Sequence, residues 1–211
     1  MKVEEIKYRF EDNVDWKIYC NKNEHKQLVY DLVQKINYTV QDLNNEIQYL
    51  DNPTMKEIIY VITLVCWLDE ALNKLINYGC SEYTKDINKG NTKKEHDFLW
   101  ALRSFVLAHP TDTFKHSKYG LDGSKICVDV REASVAELSI DYDRSYTLGI
   151  EGLVKNPNKI KGDYYLSIYS SEDNYESMFY VVCSINELYD IAQLYIDIFC
   201  LIETHISSKD I

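Results

Sequence analysis

Ile58-Ile59-Tyr60-Val61-Ile62-Thr63-Leu64-Val65-Cys66-Trp67-Leu68 is apolar on nearly every side when wound at 100° per residue. A helix through this stretch offers water no continuous face, so neighbours must cover it on several sides. That places it at the centre of a helical bundle. The run is too short to cross a bilayer, which takes about 20 apolar residues. Asp51-Asn52-Pro53-Thr54 breaks the chain before it and Gly79 supplies a C-cap after it, so the helix is predicted over about 54–78.

The flanking elements read as partners for that helix. Upstream, Leu28, Leu32, Ile36, Val40, Leu43, Ile47 and Leu50 recur at steps of three and four, predicting an amphipathic helix over about 24–50. Downstream, Thr92-Lys93-Lys94-Glu95 has the spacing of a capping box and opens a third helix with Phe98, Leu99, Leu102, Phe105 and Val106 inward. Pro110 disfavours helical geometry in the residue before it, so this helix should stop at or just before His109. Ser184-Ile185-Asn186-Glu187 has the same capping spacing and opens a last helix to about residue 206.

Between residues 111 and 183 the period changes to two. Ile126, Val128 and Val130 alternate with polar residues, as do Leu138, Ile140 and Tyr142, and Tyr164, Leu166 and Ile168; Asp122-Gly123, Asn156-Pro157-Asn158 and Asp173-Asn174 supply turns. About five short antiparallel strands follow from this pattern. Residues 1–20 alternate weakly and fit a short strand pair. The expected fold class is α+β, mainly α: an up-and-down four-helix bundle over 24–110 and 184–206 with an antiparallel β-rich insertion over 111–183 before the last helix, all within a single domain, 1–211.

Charge and cysteine usage narrow the class of function. A net charge of −11 argues against a general nucleic-acid binder, because polyanion affinity comes from Lys and Arg displacing counterions. From Lys85 to Arg131, however, nine Lys/Arg stand against six acids, leaving room for a local anion site. The six cysteines form no Cys-x-x-Cys pair and several lie in apolar runs, as reduced thiols do in the cytoplasm. The charged opening Met1-Lys2-Val3-Glu4-Glu5-Ile6-Lys7 is unlike a signal peptide, so a cytoplasmic protein with no membrane association is expected. His25, His96, His116 and His205 show no metal-ligand spacing, and there is no glycine-rich phosphate loop, so neither metal nor cofactor is expected.

Leu102-Arg103-Ser104-Phe105-Val106-Leu107-Ala108-His109-Pro110 is where the sequence suggests chemistry. An arginine can neutralise a phosphate and a histidine can move a proton near neutral pH, the minimum for RNA cleavage without a metal. The following segment adds Lys115, His116 and Lys118 as candidate substrate contacts.

Arg103, five residues, then His109 at the end of a core helix in a four-helix arrangement resembles the HEPN superfamily. The resemblance implies a metal-independent endoribonuclease of a prokaryotic defence or toxin system, with Arg103 and His109 as catalytic residues and RNA as substrate. It also implies a composite site across a two-fold homodimer and a protein partner such as an antitoxin or other defence component. The alternative is a non-catalytic HEPN-like interaction factor of a mobile element or a defence or counter-defence system, to which the acidic balance is suited.

Overall fold

In a computed structural model, which describes residues 3–8, 24–79, 92–108, 127–136, 142–155, 161–170, 174, 176 and 178–209, the helices are α1 (Lys26–Glu46), α2 (Met55–Lys74), α3 (Lys93–Arg103), the short α4 (Ala133–Ala136) and α5 (Ile185–Lys209). The apolar run lies in α2, where Ile58, Val61, Ile62, Leu64, Val65 and Leu68 are almost wholly removed from water. Each such side chain contributes roughly 1.5–3 kcal/mol by burial, and so many on one helix require cover from several directions. α1, α3 and α5 each pack on α2. α2 and α3 both run out into π-turns, at Leu75–Gly79 and Ser104–Ala108.

The strands β1 (Cys127–Glu132), β2 (Ser145–Gly149), β3 (Gly152–Lys155), β4 (Tyr164–Tyr169) and β5 (Phe179–Cys183) form one five-stranded sheet in the order β1-β4-β5-β2-β3. Pairing is antiparallel except between β2 and β5, which run parallel in the register Ser145–Tyr180 to Thr147–Val182. β4 lies inside the sheet and is buried on both faces. Tyr164, Leu166 and Ile168 join the apolar cluster of the helices, while Tyr165 packs with Val182 and Ala133 on the other side. Val128, Leu148, Val181 and Cys183 belong to the same main cluster as α2.

These pairings correct the expected architecture. The fold is not an up-and-down four-helix bundle carrying an antiparallel insertion but helices gathered on α2 and joined through one core to a mixed sheet. Two-residue periodicity reports that one face of a strand is buried without saying what buries it, and the β2–β5 pairing joins segments about 35 residues apart, beyond any local pattern. The strand expected through Leu138, Ile140 and Tyr142 is not formed at its Tyr142 end, which belongs to a 3₁₀ turn; residues 137–141 lie outside the described residues. Among the described residues no helix is long and apolar enough to cross a membrane.

The N-terminal segment 3–8 is no strand, and the rest of the strand pair expected over 1–20 lies outside the described residues. Ile6 is buried, its N–H donates to Asn44 Oδ1 at 2.9 Å and its carbonyl accepts from Asn44 Nδ2 at 3.2 Å, while Lys7 N–H reaches Gln193 Oε1 at 2.8 Å. Side-chain amides on α1 and α5 thus satisfy a backbone that a β-partner would otherwise serve.

Helix ends are also held by distant groups. The α5 N-terminus is capped by Asp163, whose Oδ2 accepts from Ile185 N–H at 2.8 Å and Ser184 Oγ at 3.1 Å. Gly162 makes this possible: a Cβ there would stand 2.6 Å from Val182 Cγ1 and 2.8 Å from the Cys183 carbonyl oxygen, so only glycine lets the chain pass that close to β5. Glu187 leaves its expected capping box and accepts from Ile150 N–H, in the β2–β3 turn, at 3.1 Å. The neighbouring Glu151 meets Lys94 of α3 at 2.5 Å. The sheet is thereby tied to both α5 and the start of α3.

Candidate functional site

Arg103 is the last residue of α3 and about half exposed; its Nη1 donates to Glu70 Oε1 on α2 at 2.7 Å. Beside it lies a more deeply built pair. Asp69 follows the apolar run of α2 directly and is carried into the interior with it, its side chain only 7% exposed. A carboxylate that far from water is costly unless its oxygens are served. Asp69 Oδ2 lies 2.8 Å from His96 Nδ1 of α3, and Oδ1 accepts from Asn73 Nδ2 at 2.8 Å. Because a carboxylate only accepts, this contact assigns the proton of the neutral imidazole to Nδ1 and leaves Nε2 with its lone pair. The His96 side chain is 47% exposed, so solvent reaches the pair from its histidine end.

Behind the carboxylate the environment is dry. Burial and then the Asp69 charge push the Cys66 thiol up to about 12, so it is a neutral packing group and not a nucleophile. Its Sγ approaches the Leu99 carbonyl at 3.8 Å. The Tyr195 hydroxyl of α5 is buried toward Asp69 without closing a hydrogen bond of good geometry, and burial, then the carboxylate charge, raises its pKa. Glu95, expected to cap α3, instead turns Oε2 inward, where it has no hydrogen-bond partner among the described residues; the Thr92 side chain makes no capping bond either.

Cys66, Asp69, Glu70, His96, Leu99, Trp100 and Arg103 line one pocket of about 100 Å³. Sites that enclose a small ligand hold roughly 300–1,000 Å³. This one is too small for a nucleotide and suits a single group presented from outside, such as one phosphate of a chain. Trp100 is exposed at its rim. Larger hollows flank residues 3–8, of about 490 and 770 Å³, but Glu4, Glu5, Asp190 and side-chain amides dominate their walls. Among the described residues they carry no histidine, cysteine or arginine, so the small pocket is the better site for acid–base chemistry. Among the described residues no three His, Cys, Asp or Glu side chains converge as metal ligands.

Of the residues singled out from sequence, Arg103 lies at this pocket. His109, Lys115, His116 and Lys118 lie outside the described residues. Asp69 and His96 were missed, although each had a signal. Asp69 continues the buried stripe of Val65, Leu68 and Leu72, where a lone carboxylate demands a partner. His96, Leu99 and Arg103 recur at i, i+3 and i+7, which puts them on one side of α3. The chain matches no protein-family model, no curated protein and no solved structure.

Proposed function

We propose that the chain is a metal-independent endoribonuclease of HEPN-like type, acting in a prokaryotic defence or toxin system, and that Arg103 holds the scissile phosphate. The observation that carries this reading is the arginine opening on the same small pocket as an imidazole with a fixed tautomer. Guanidinium and imidazole together supply charge stabilisation and proton transfer at a phosphodiester. The pocket admits a phosphate edge, and the exposed Trp100 stands beside it. His109 is the histidine that the HEPN resemblance assigns to proton transfer, in a two-fold dimer held in check by a protein partner.

The test is cleavage of single-stranded RNA in the presence of EDTA. Cleavage to a 2′,3′-cyclic phosphate and a 5′-hydroxyl is expected, with Arg103→Ala slower by about 10²–10³-fold, the usual loss when one transition-state charge partner is removed. Wild-type protein that leaves RNA intact, or Arg103→Ala at wild-type rate, overturns the reading.

One observation favours the second reading, a non-catalytic interaction factor. α1 and α2 meet along an exposed aromatic seam, where Lys35 Nζ stands 3.4 Å above the Trp67 ring and Tyr38 and Tyr60 are also exposed. A stable complex made through that seam, with no RNA cleavage, would select this reading.

A further inference from the structure

The histidine that the structure pairs with a buried carboxylate is His96, not the one that the Arg-x5-His pattern names. We propose that His96 is the general base that activates the RNA 2′-hydroxyl at this pocket, and that Asp69 is its positioning residue; this rests on the ribonuclease reading above.

Three features of the site carry the assignment. Asp69 Oδ2 at 2.8 Å from Nδ1 both orients the ring and fixes the neutral tautomer, so Nε2 is the nitrogen able to accept a proton. Asn73 on Asp69 Oδ1 holds the carboxylate in turn, so the ring is supported through two successive bonds from α2. His96 and Arg103 line the same pocket, which puts the base and the phosphate-binding cation on one substrate group. Glu70, which holds Arg103 in the free protein, is itself half exposed and can give way to a phosphate oxygen.

The step closes without a redox partner. His96 Nε2 takes the proton of the 2′-hydroxyl as the O2′–P bond forms. The P–O5′ bond breaks with its electron pair going to O5′, which takes a proton from solvent, while the imidazolium left at His96 returns its proton to solvent. The products are a 2′,3′-cyclic phosphate and a 5′-hydroxyl. Arg103 faces the charge that builds on the non-bridging oxygens.

The experiment uses the full chain and two RNA oligonucleotides of one sequence, one normal and one with sulfur in place of the bridging 5′-oxygen. A thiolate leaves without help from an acid, so the sulfur substrate restores a variant lacking the acid and not one lacking the base. His96→Ala is expected to be slower by about 10²–10⁴-fold on both substrates, and added imidazole is expected to recover part of the loss. His96→Gln, which keeps a donor for Asp69, should be as slow as His96→Ala while retaining the wild-type thermal transition. Asp69→Asn should lower kcat with little change in KM and alter the His96 tautomer seen in long-range ¹H–¹⁵N spectra.

Wild-type protein that cleaves RNA while His96→Gln keeps its rate sinks the assignment and leaves the ribonuclease reading standing. Recovery of His96→Ala on the sulfur substrate makes His96 the acid and equally overturns its role as base. Wild-type protein that cleaves neither substrate removes both readings together.

Discussion

Asp69 and Glu70 are neighbours in sequence and opposites in setting. Asp69 is turned into the core, with its oxygens taken by His96 and Asn73; Glu70 is turned outward, about as exposed as the Arg103 it holds. The two bonds across the helices are nearly equal in length, 2.8 and 2.7 Å. Length therefore says little about what each pair does. Dielectric decides it: in the dry interior an unserved carboxylate carries a large desolvation cost, whereas at the surface water and salt replace a lost partner almost fully. The inner pair suits permanent positioning, and the outer one suits exchange with an incoming anion.

The largest effect is expected where that contrast is cut at its inner end. Asp69→Ala removes hydrogen bonds to an imidazole and an amide and leaves a gap beside Cys66 and Tyr195, so unfolding in urea should show a loss of about 1.5–3 kcal/mol. A loss below about 0.5 kcal/mol would mean that Asp69 is as dispensable as a surface acid and would dissolve the comparison.

Glu187 tests the same principle at the sheet, with the sign reversed by its chemistry. Burial raises its pKa above the ordinary glutamate value, the Ile150 N–H partly opposes this, and Asp190 adds to the rise. The folded protein therefore binds this proton more tightly than the unfolded chain. The resulting stability is fully present below the unfolded glutamate pKa and is lost as pH rises through the raised folded value. Glu187→Gln keeps an acceptor for Ile150 and removes the buried charge. Its Tm at pH 7 should exceed that of the wild type, with the advantage shrinking as pH falls through the window between the two pKa values. An advantage constant from pH 4 to 7 would remove titration as its cause.

The same division between inner and outer carboxylates explains what could be read from the chain. The helices could be placed from local signals: α2 from an all-round apolar run, α1 from its stripe, and the α5 start from the Ser184–Glu187 spacing. The partners of those signals could not. Glu95 and Glu187 have the spacing of capping boxes, yet one turns inward and the other reaches Ile150, while Asp163 caps α5 from just before β4, 22 residues upstream. The capping box that forms is at α2, where Thr54 N–H donates to Glu57 Oε2 at 2.9 Å and the Thr54 hydroxyl bonds the same oxygen. The mixed sheet escaped the pattern because β2 finds β5 only after β3 and β4 have intervened. Half of the site escaped for a related reason: Asp69 and His96 are 27 residues apart and meet only when α2 and α3 pack.

The smallest change in stability belongs to Glu70, and it sharpens the contrast most. Exposed ion pairs are worth roughly 0.2–1 kcal/mol, so Glu70→Gln should leave the urea midpoint nearly unchanged, and 0.5 M salt should erase what difference remains. Its effect on binding runs the other way. In the free protein Arg103 is engaged by a carboxylate that a phosphate must displace, and removing that competitor returns to the substrate whatever the pair is worth. By the exchange rate of about 1.4 kcal/mol per tenfold, this corresponds to a KM for RNA lower by up to about fivefold. With kcat little changed, such a drop separates a displaceable Glu70 from a fixed Asp69. A raised KM in Glu70→Gln would instead make Glu70 a support that Arg103 needs, and the two carboxylates would then differ in exposure alone.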